Sequence, residues 1–324
     1  MASHYKSSKR RLYPSPQSGD RFRYHCCGLA IESDFALPEL GNEQTFSHAP
    51  DLVFLGASVP DRLERPLLKR PRFEACPGKL LGRIESAGRF LVDGPNTIKV
   101  ELERPDAIAD LTSYLLGVGL ATVLSLRGIV PLHASAVEVD GAVVAFAGDS
   151  GSGKSTISSY FETIGHPIVS DDLLPIRVFQ GKPPVCDCGP RVHRLDPSSA
   201  SLLGRDPREI PFVEDKHHFH NLNWSNQASI PIRAIFAVQA RPEIEAHQLM
   251  SCSGKRKLSL IASSIFKRHW TVPLGTDSQL LQNAIIVASS VPVIRLRRPS
   301  HKPTDLETLR QQIEDCLTTI AATS

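Results

Sequence analysis

Residues Gly148-Asp149-Ser150-Gly151-Ser152-Gly153-Lys154-Ser155-Thr156 place glycine at every second or third position and end on a lysine and two hydroxyls. The run fits the pattern GxxxxGK[ST]. Glycines let a backbone curl so that its N–H groups face oxygen atoms, and a helix opening at the lysine adds its unpaired N–H groups and partial positive charge. Lys154 can then reach the β- and γ-phosphates of a nucleotide, and the Ser155 hydroxyl can bind Mg²⁺. Dinucleotide binding is a poor match, because the spacing is not GxGxxG. Two adjacent acids, Asp171 and Asp172, follow a short apolar run. One carboxylate could hold Mg²⁺ directly or through water, and the other could take a proton from an attacking hydroxyl. Paired acids that merely cap a loop are the plainer alternative. His133 lies in an apolar run before the loop, where a lone histidine is more often a core residue.

These residues need elements to hold them. VPLHASAVEV and AVVAFAG read as two strands, joined at Asp140-Gly141 by a hairpin turn. SSYFETIG reads as a helix after the loop, and PIVS as the strand ending in the two acids, so strand, loop, helix and strand form a βαβ unit in a parallel sheet. LLPIRVF, RAIFAVQA and PVIRLR are further strands; Lys255 to His269, Asp277 to Ser289 and Thr304 to Ile320 are expected helices. Upstream, FRYHCCGLAIES, DLVFLG, KLLGRIE, GRFLVDG and TIKVELE are short strands separated by turn residues. Asp106 to Arg127 has the spacing of a helix buried on most faces. The expected organisation is a basic disordered tail over 1–20, a β-rich region over 21–104, and an α/β catalytic domain over 105–324.

The stretch PLHASAVEVDGAVVAFAGDSGSGKSTISSYFETIGHPIVSDDLLPI resembles the catalytic core of the HPr serine kinase/phosphorylase family. The resemblance covers the histidine before the hairpin, GDSGxGKS, Gly165-His166 and the Asp-Asp pair. It implies a P-loop kinase core of the HPr kinase type, ATP and Mg²⁺ as cofactors, and His133 in the active site. It also places the base on Asp172 with Asp171 in support. Three features depart from the family: Thr156 stands where an acidic residue is usual, no Glu-containing second signature is found, and the basic C-terminal loop is missing. Recognition of HPr and the reverse phosphorolytic reaction are therefore in doubt. The layout is closer to HPr-kinase-like proteins of peptide-modification systems, including lasso-peptide kinases. These share a stretch like Ser33-Asp34-Phe35-Ala36-Leu37-Pro38-Glu39-Leu40 and one like GPRVHRLDPSSASLLG followed by EDK. That likeness implies a serine of a precursor peptide as acceptor.

The 324-residue chain carries a net charge of +3, too little to call for nucleic acid. Seven irregularly spaced cysteines suit reduced thiols in a cytoplasm; Cys186-Asp187-Cys188 lacks the second pair a metal site needs. The basic, polar N-terminus is no secretory signal, and the apolar run Leu111 to Ile129 is interrupted by Ser113, Tyr114, Ser125 and Arg127, so no membrane span is expected. Arg191, Arg194 and Lys216 could meet a phosphate or an acidic peptide, or be solvated charges. His217-His218-Phe219-His220 reads as exposed histidines, and Trp224 and Trp270 as packing residues. The leading reading is a Mg-ATP-dependent serine kinase acting on a peptide or small protein, with a homo-oligomer left open. A nucleotide-sensing regulatory protein and an ATPase are the competing classes, and an HPr-like carrier protein is the alternative acceptor.

Overall fold

The computed structural model describes residues 21–204, 212–213, 216–219, 222–301 and 305–323, with side chains over 212–219 and at 323 excluded. The expected tail over 1–20, His220 and the helix start at Thr304 lie outside the described residues, as do the side chains of Lys216, His217, His218 and Phe219. Two compact units form: Met1–Pro131 with Lys267–Leu281, and Leu132–Phe266 with Gln282–Ser324. The helical stretch after Pro105, expected with the catalytic domain, thus groups with the β-rich region. Its packing explains this: Gly119 lies against Ile98 and Phe90 of the N-terminal sheet.

Among its described residues the first unit has a sheet of eight strands: β1 (Phe22–Cys26), β2 (Leu29–Ser33), β3 (Leu52–Gly56), β4 (Leu68–Lys69), β5 (Phe73–Cys76), β6 (Lys79–Ile84), β7 (Gly88–Asp93) and β8 (Thr97–Leu102). They form one sheet in the order β1-β2-β3-β8-β7-β6-β5-β4. Only the β2–β3 and β3–β8 pairs are parallel. Phe54, Phe90, Leu80 and Ile98 are fully buried in it. The LPEL stretch is structural here: Leu37 is buried and its N–H donates to Tyr24 Oη at 3.0 Å. Pro105–Leu126 is, against expectation, long and apolar enough to cross a membrane by length and composition, yet 72% of its apolar window is buried in the protein. It changes from α-helix (Ile108–Tyr114) through a π-helical turn (Leu115–Gly119) back to α-helix (Leu120–Leu126). The buried hydroxyls of Thr112, Thr122 and Ser125 donate to carbonyls four residues earlier, which removes the cost of burying them.

β9 (Val130–Leu132) leads into the second unit, where β10 (Ala134–Val139) and β11 (Ala142–Ala147) form the expected antiparallel hairpin. The loop helix, Lys154–Thr163, follows β11. Then come β12 (Ile168–Ser170), β13 (Leu174–Phe179), β14 (Lys182–Cys186), β15 (His193–Leu195), β16 (Phe212–Val213) and β17 (Lys216–Phe219). β18 (Ile230–Arg241), β19 (Gln248–Ser251) and β20 (Val293–Pro299) complete the strands. The main sheet runs β12-β10-β11-β18-β14-β13, with β20 on β18 and β19 on β20. It is mixed: β11–β18 and β18–β20 are parallel, while β10 is antiparallel to both β11 and β12. The expected βαβ unit forms, but in a mixed rather than a parallel sheet. β11 and β12 run in the same direction, but β10 lies between them.

Loop helix and C-terminal helix (Leu306–Thr323) pack on this sheet, through Phe146, Phe161, Phe236, Ile157, Ile313 and Leu317. Phe161 of the loop helix meets Phe146 of β11 with ring centroids 5.9 Å apart. Burying such a ring stabilises by about 1.5–3 kcal/mol, so the helix that ends the phosphate loop is fixed to the strand that begins it. The helix expected over Lys255–His269 ends early, at Ser263. Ser264 and Ile265 leave it to hold the junction of β9 and β10 where His133 sits: Ser264 O accepts from His133 N at 2.7 Å and Ile265 bridges to Leu132.

Candidate active site

The glycine loop leaves β11 and crosses the end of β18. Gly148 has φ 149° and sits so close to Val238 that a Cβ would lie 2.4 Å from its carbonyl oxygen. Gly153, at φ 101°, is the residue before the loop helix. Both positions exclude larger residues for steric reasons. Gly148→Ala should therefore abolish nucleotide binding and destabilise the fold by about 1–3 kcal/mol, read by ADP titration and thermal unfolding; normal affinity would show that the loop can move aside. Lys154 is buried, and its ammonium donates to Gly148 O (2.8 Å) and Asp149 O (3.0 Å) and stands 3.2 Å from His133 Nε2.

That last contact sets the state of His133. An ammonium only donates, so Nε2 accepts and Nδ1 carries the proton. Nδ1 in turn lies 3.1 Å from the Asp172 carbonyl and 3.2 Å from its Oδ1. Burial, opposed by Asp172 and reinforced by Lys154, pushes the His133 imidazolium below its ordinary 6.5. The neutral ring is the working form near neutrality; protonating it would set two positive charges 3.2 Å apart. Because the folded state binds its proton less readily than the unfolded chain, stability from this site is complete above pH 6.5 and falls as pH drops below it. We expect nucleotide affinity to decline over the same acid range in the wild type but not in His133→Gln, which keeps an acceptor for Lys154. Parallel declines in both would remove His133 from the effect.

The two acids occupy different surroundings. Asp171 is buried, with both oxygens engaged. Oδ1 accepts from Ser155 Oγ at 2.9 Å and from Ser135 Oγ, while Oδ2 accepts from Arg194 N at 2.9 Å and lies 3.3 Å from His193 Nδ1. Burial alone would raise its pKa. His193, the two hydroxyls and the Arg194 N–H outweigh burial and hold it below its ordinary value. Asp172, by contrast, has a side chain 36% exposed on the cleft wall, with Arg194 Nη1 3.3 Å from Oδ2. Its φ of 72° is left-handed, unusual for a residue other than glycine, and turns its carboxylate away from its neighbour's path. Arg194 and His133 aim that carboxylate from two sides.

A cleft of about 780 Å³ joins these groups. His133, Ser150, Gly151, Gly153, Lys154, Ser155, Thr156, Asp172 and Arg194 all line it, so most of the residues expected from sequence converge there. Thr156 turns its hydroxyl to Ser199 Oγ at 2.8 Å. Ser199 belongs to the short helix Pro197–Leu202, whose N-cap is Asp196. Arg191 does not reach the cleft; it bonds Asn226 Oδ1 at 2.5 Å. Lys216 sits on β17, and nothing further is described of its side chain. Ser135, His193 and Arg298 are additions. Ser135 was within reach of the sequence reading, since it alternates with His133 along the strand; the other two depend on pairing between distant segments. His193 is fully buried, with Nε2 2.5 Å from Ser159 Oγ and 3.2 Å from Ser155 O.

The donor set suits Mg²⁺ held mainly by phosphate and water, the usual manner for that ion at nucleotide sites. Ser155 Oγ lines the cleft and would face it, whereas Asp171, expected beside it, lies behind that hydroxyl at 2.9 Å and outside the cleft lining. Among the described residues no group of three or more His, Cys, Asp or Glu is placed to hold a metal by itself. Cys186 is buried and Cys188 donates to Ser225 O and Gln227 O.

No protein-family model and no curated protein matches the chain. Among solved structures it is similar to the HPr(Ser) kinase/phosphatase from Coxiella burnetii, at 12% identity and a TM-score of 0.32. The match covers 60% of this chain and 93% of that one.

Proposed function

We propose that this protein is a Mg-ATP-dependent serine kinase whose acceptor is a peptide or small protein. The observation that carries the reading is the division of labour between two adjacent acids in a cleft floored by a phosphate loop. Asp171 is sealed behind Ser155, whereas Asp172 is open to an incoming hydroxyl. A nucleotide sensor needs the loop and Lys154, but has no use for an accessible carboxylate aimed by His133 and Arg194.

In the reaction, the acceptor serine oxygen forms a bond to the γ-phosphorus as the bond to the β,γ-bridging oxygen breaks and ADP leaves. Asp172 receives the serine proton. Lys154 and the N–H groups at the start of the loop helix face the phosphate oxygens. Ser155 would hold Mg²⁺, which when bound would offset charge on the phosphates. His133 keeps Lys154 and Asp172 in register, and Asp171 fixes the Ser155 hydroxyl. Positioning and electrostatics do most of the work, as expected for phosphoryl transfer.

The sequence likeness to lasso-peptide kinases makes a serine of a ribosomally made precursor peptide our preferred acceptor, and ATP use with seven free thiols fits a cytoplasmic site of action. Incubating the protein with γ-labelled ATP, Mg²⁺ and serine-containing candidate peptides tests this directly. Label on a peptide serine supports the reading, and label on an HPr-like protein would move it to that acceptor. Label released only as free phosphate would replace it with ATP hydrolysis, and binding with no transfer would leave a sensor.

A further inference from the structure

The glycine loop is held from outside by a residue contributed far along the chain. β20 runs parallel to β18, which runs parallel to β11, so the ends of all three strands meet on the loop side of the sheet. Arg298 lies near the end of β20, paired with Ala240. Its Nε donates to Ser152 O at 2.6 Å, one Nη donates to Gly151 O at 3.3 Å, and the other to Pro299 O at 3.1 Å. The guanidinium also lines the cleft and approaches Gly153 so closely that a Cβ there would meet Nε at 2.9 Å. Gly153 is thus required for the arginine's position as well as for its own φ.

We infer that Arg298 is a positioning residue that holds the loop in its phosphate-accepting shape by fastening the carbonyls of Gly151 and Ser152. A trans peptide points its C=O and N–H in opposite directions. Drawing Ser152 O toward Arg298 turns the Gly153 N–H to the other side, toward the start of the loop helix where phosphate would lie. The Gly151 carbonyl is fixed in the same way, although the Ser152 N–H of that peptide already donates within the turn to Asp149 O at 3.2 Å. A planar guanidinium can span two successive carbonyls at once, whereas an ammonium is a single point of donation. Lysine is therefore not an equivalent substitute.

The inference deepens the kinase reading but is testable without any transfer. Hydrogen exchange of the segment 148–156 is measured in ligand-free wild type, Arg298→Lys and Arg298→Gln, beside ADP and pyrophosphate titrations. Arg297→Gln serves as control, because Arg297 pairs with Glu243 away from the loop. We expect exchange in that segment to quicken and both ligands to weaken by about tenfold in the two Arg298 variants, at unchanged melting temperature, with the control like wild type. For a transferring enzyme, KM for ATP should rise more than kcat falls. Wild-type exchange and affinity in Arg298→Lys would overturn the inference even if Arg298→Gln failed to fold. A wild type that phosphorylates nothing, combined with a loosened loop in the variants, would sink the kinase reading and leave Arg298 in its role.

Discussion

Asp172→Asn is expected to lower phosphoryl transfer by about 10²–10⁴-fold, the usual range for a lost general base, while ADP affinity stays within about threefold of wild type. The substitution keeps the size of the side chain and removes its ability to take a proton. One of its two acceptor atoms becomes a donor, so the contact with either His133 or Arg194 is lost and the other retained. The phosphate loop, Lys154 and Ser155 are untouched. Single-turnover assays with labelled ATP and calorimetric ADP binding measure the two effects separately. Retained transfer would show that Asp172 is not the base, and a matching fall in ADP affinity would show that its charge serves binding instead.

Lys154→Gln should be comparably damaging by a different route, cutting transfer by about 10²–10³-fold and weakening ADP as well. Lys154 is buried and donates to two loop carbonyls and a histidine, so its removal strips charge from the phosphate site and support from the loop together. Lys154→Arg is not expected to restore function, because the pocket formed by Gly148 O, Asp149 O and His133 Nε2 is shaped for one compact ammonium. Measured side by side, the Asp172 variant should separate transfer from binding and the Lys154 variants should not. Equal losses of ADP affinity in both would argue that the cleft responds as one electrostatic unit.

The parts of the site that could be read from sequence are those whose chemistry is local. The loop, its helix and the hairpin each carry their own signal, in glycine spacing, apolar period and the Asp140-Gly141 turn, and the Asp171-Asp172 pair is visible wherever its strand falls. What could not be read is which strands become neighbours. Insertion of β10 between β11 and β12 brings Ser135 onto Asp171, and it follows from a hairpin that folds back before the helix crosses over. No local pattern singles out His193, yet β15 places it, fully buried, beneath Asp171. Arg298 follows the expected strand PVIRLR and carries no local sign of its contact with the loop. Arg191 and Arg194, three residues apart, looked alike as candidates; only Arg194 faces Asp172. Asp106 to Arg127 carries a clear helical pattern, but periodicity does not say which sheet a helix will cover.

The position of β20 also bears on when the protein becomes able to hold nucleotide during synthesis. The loop, the acids and His133 all leave the ribosome within one short stretch, whereas the strand bearing Arg298 emerges well after them. Until then β18 lacks its parallel neighbour, and the loop lacks the guanidinium that fastens its carbonyls. ATP can stabilise only a state that binds it, so the nucleotide should favour chains that already include β20 and do little for shorter ones. Ribosome-stalled chains ending before Val293 should then fail to retain labelled ADP, while released chains that include β20 retain it. Retention by the stalled chains would mean that the hairpin and its helix shape the phosphate site unaided.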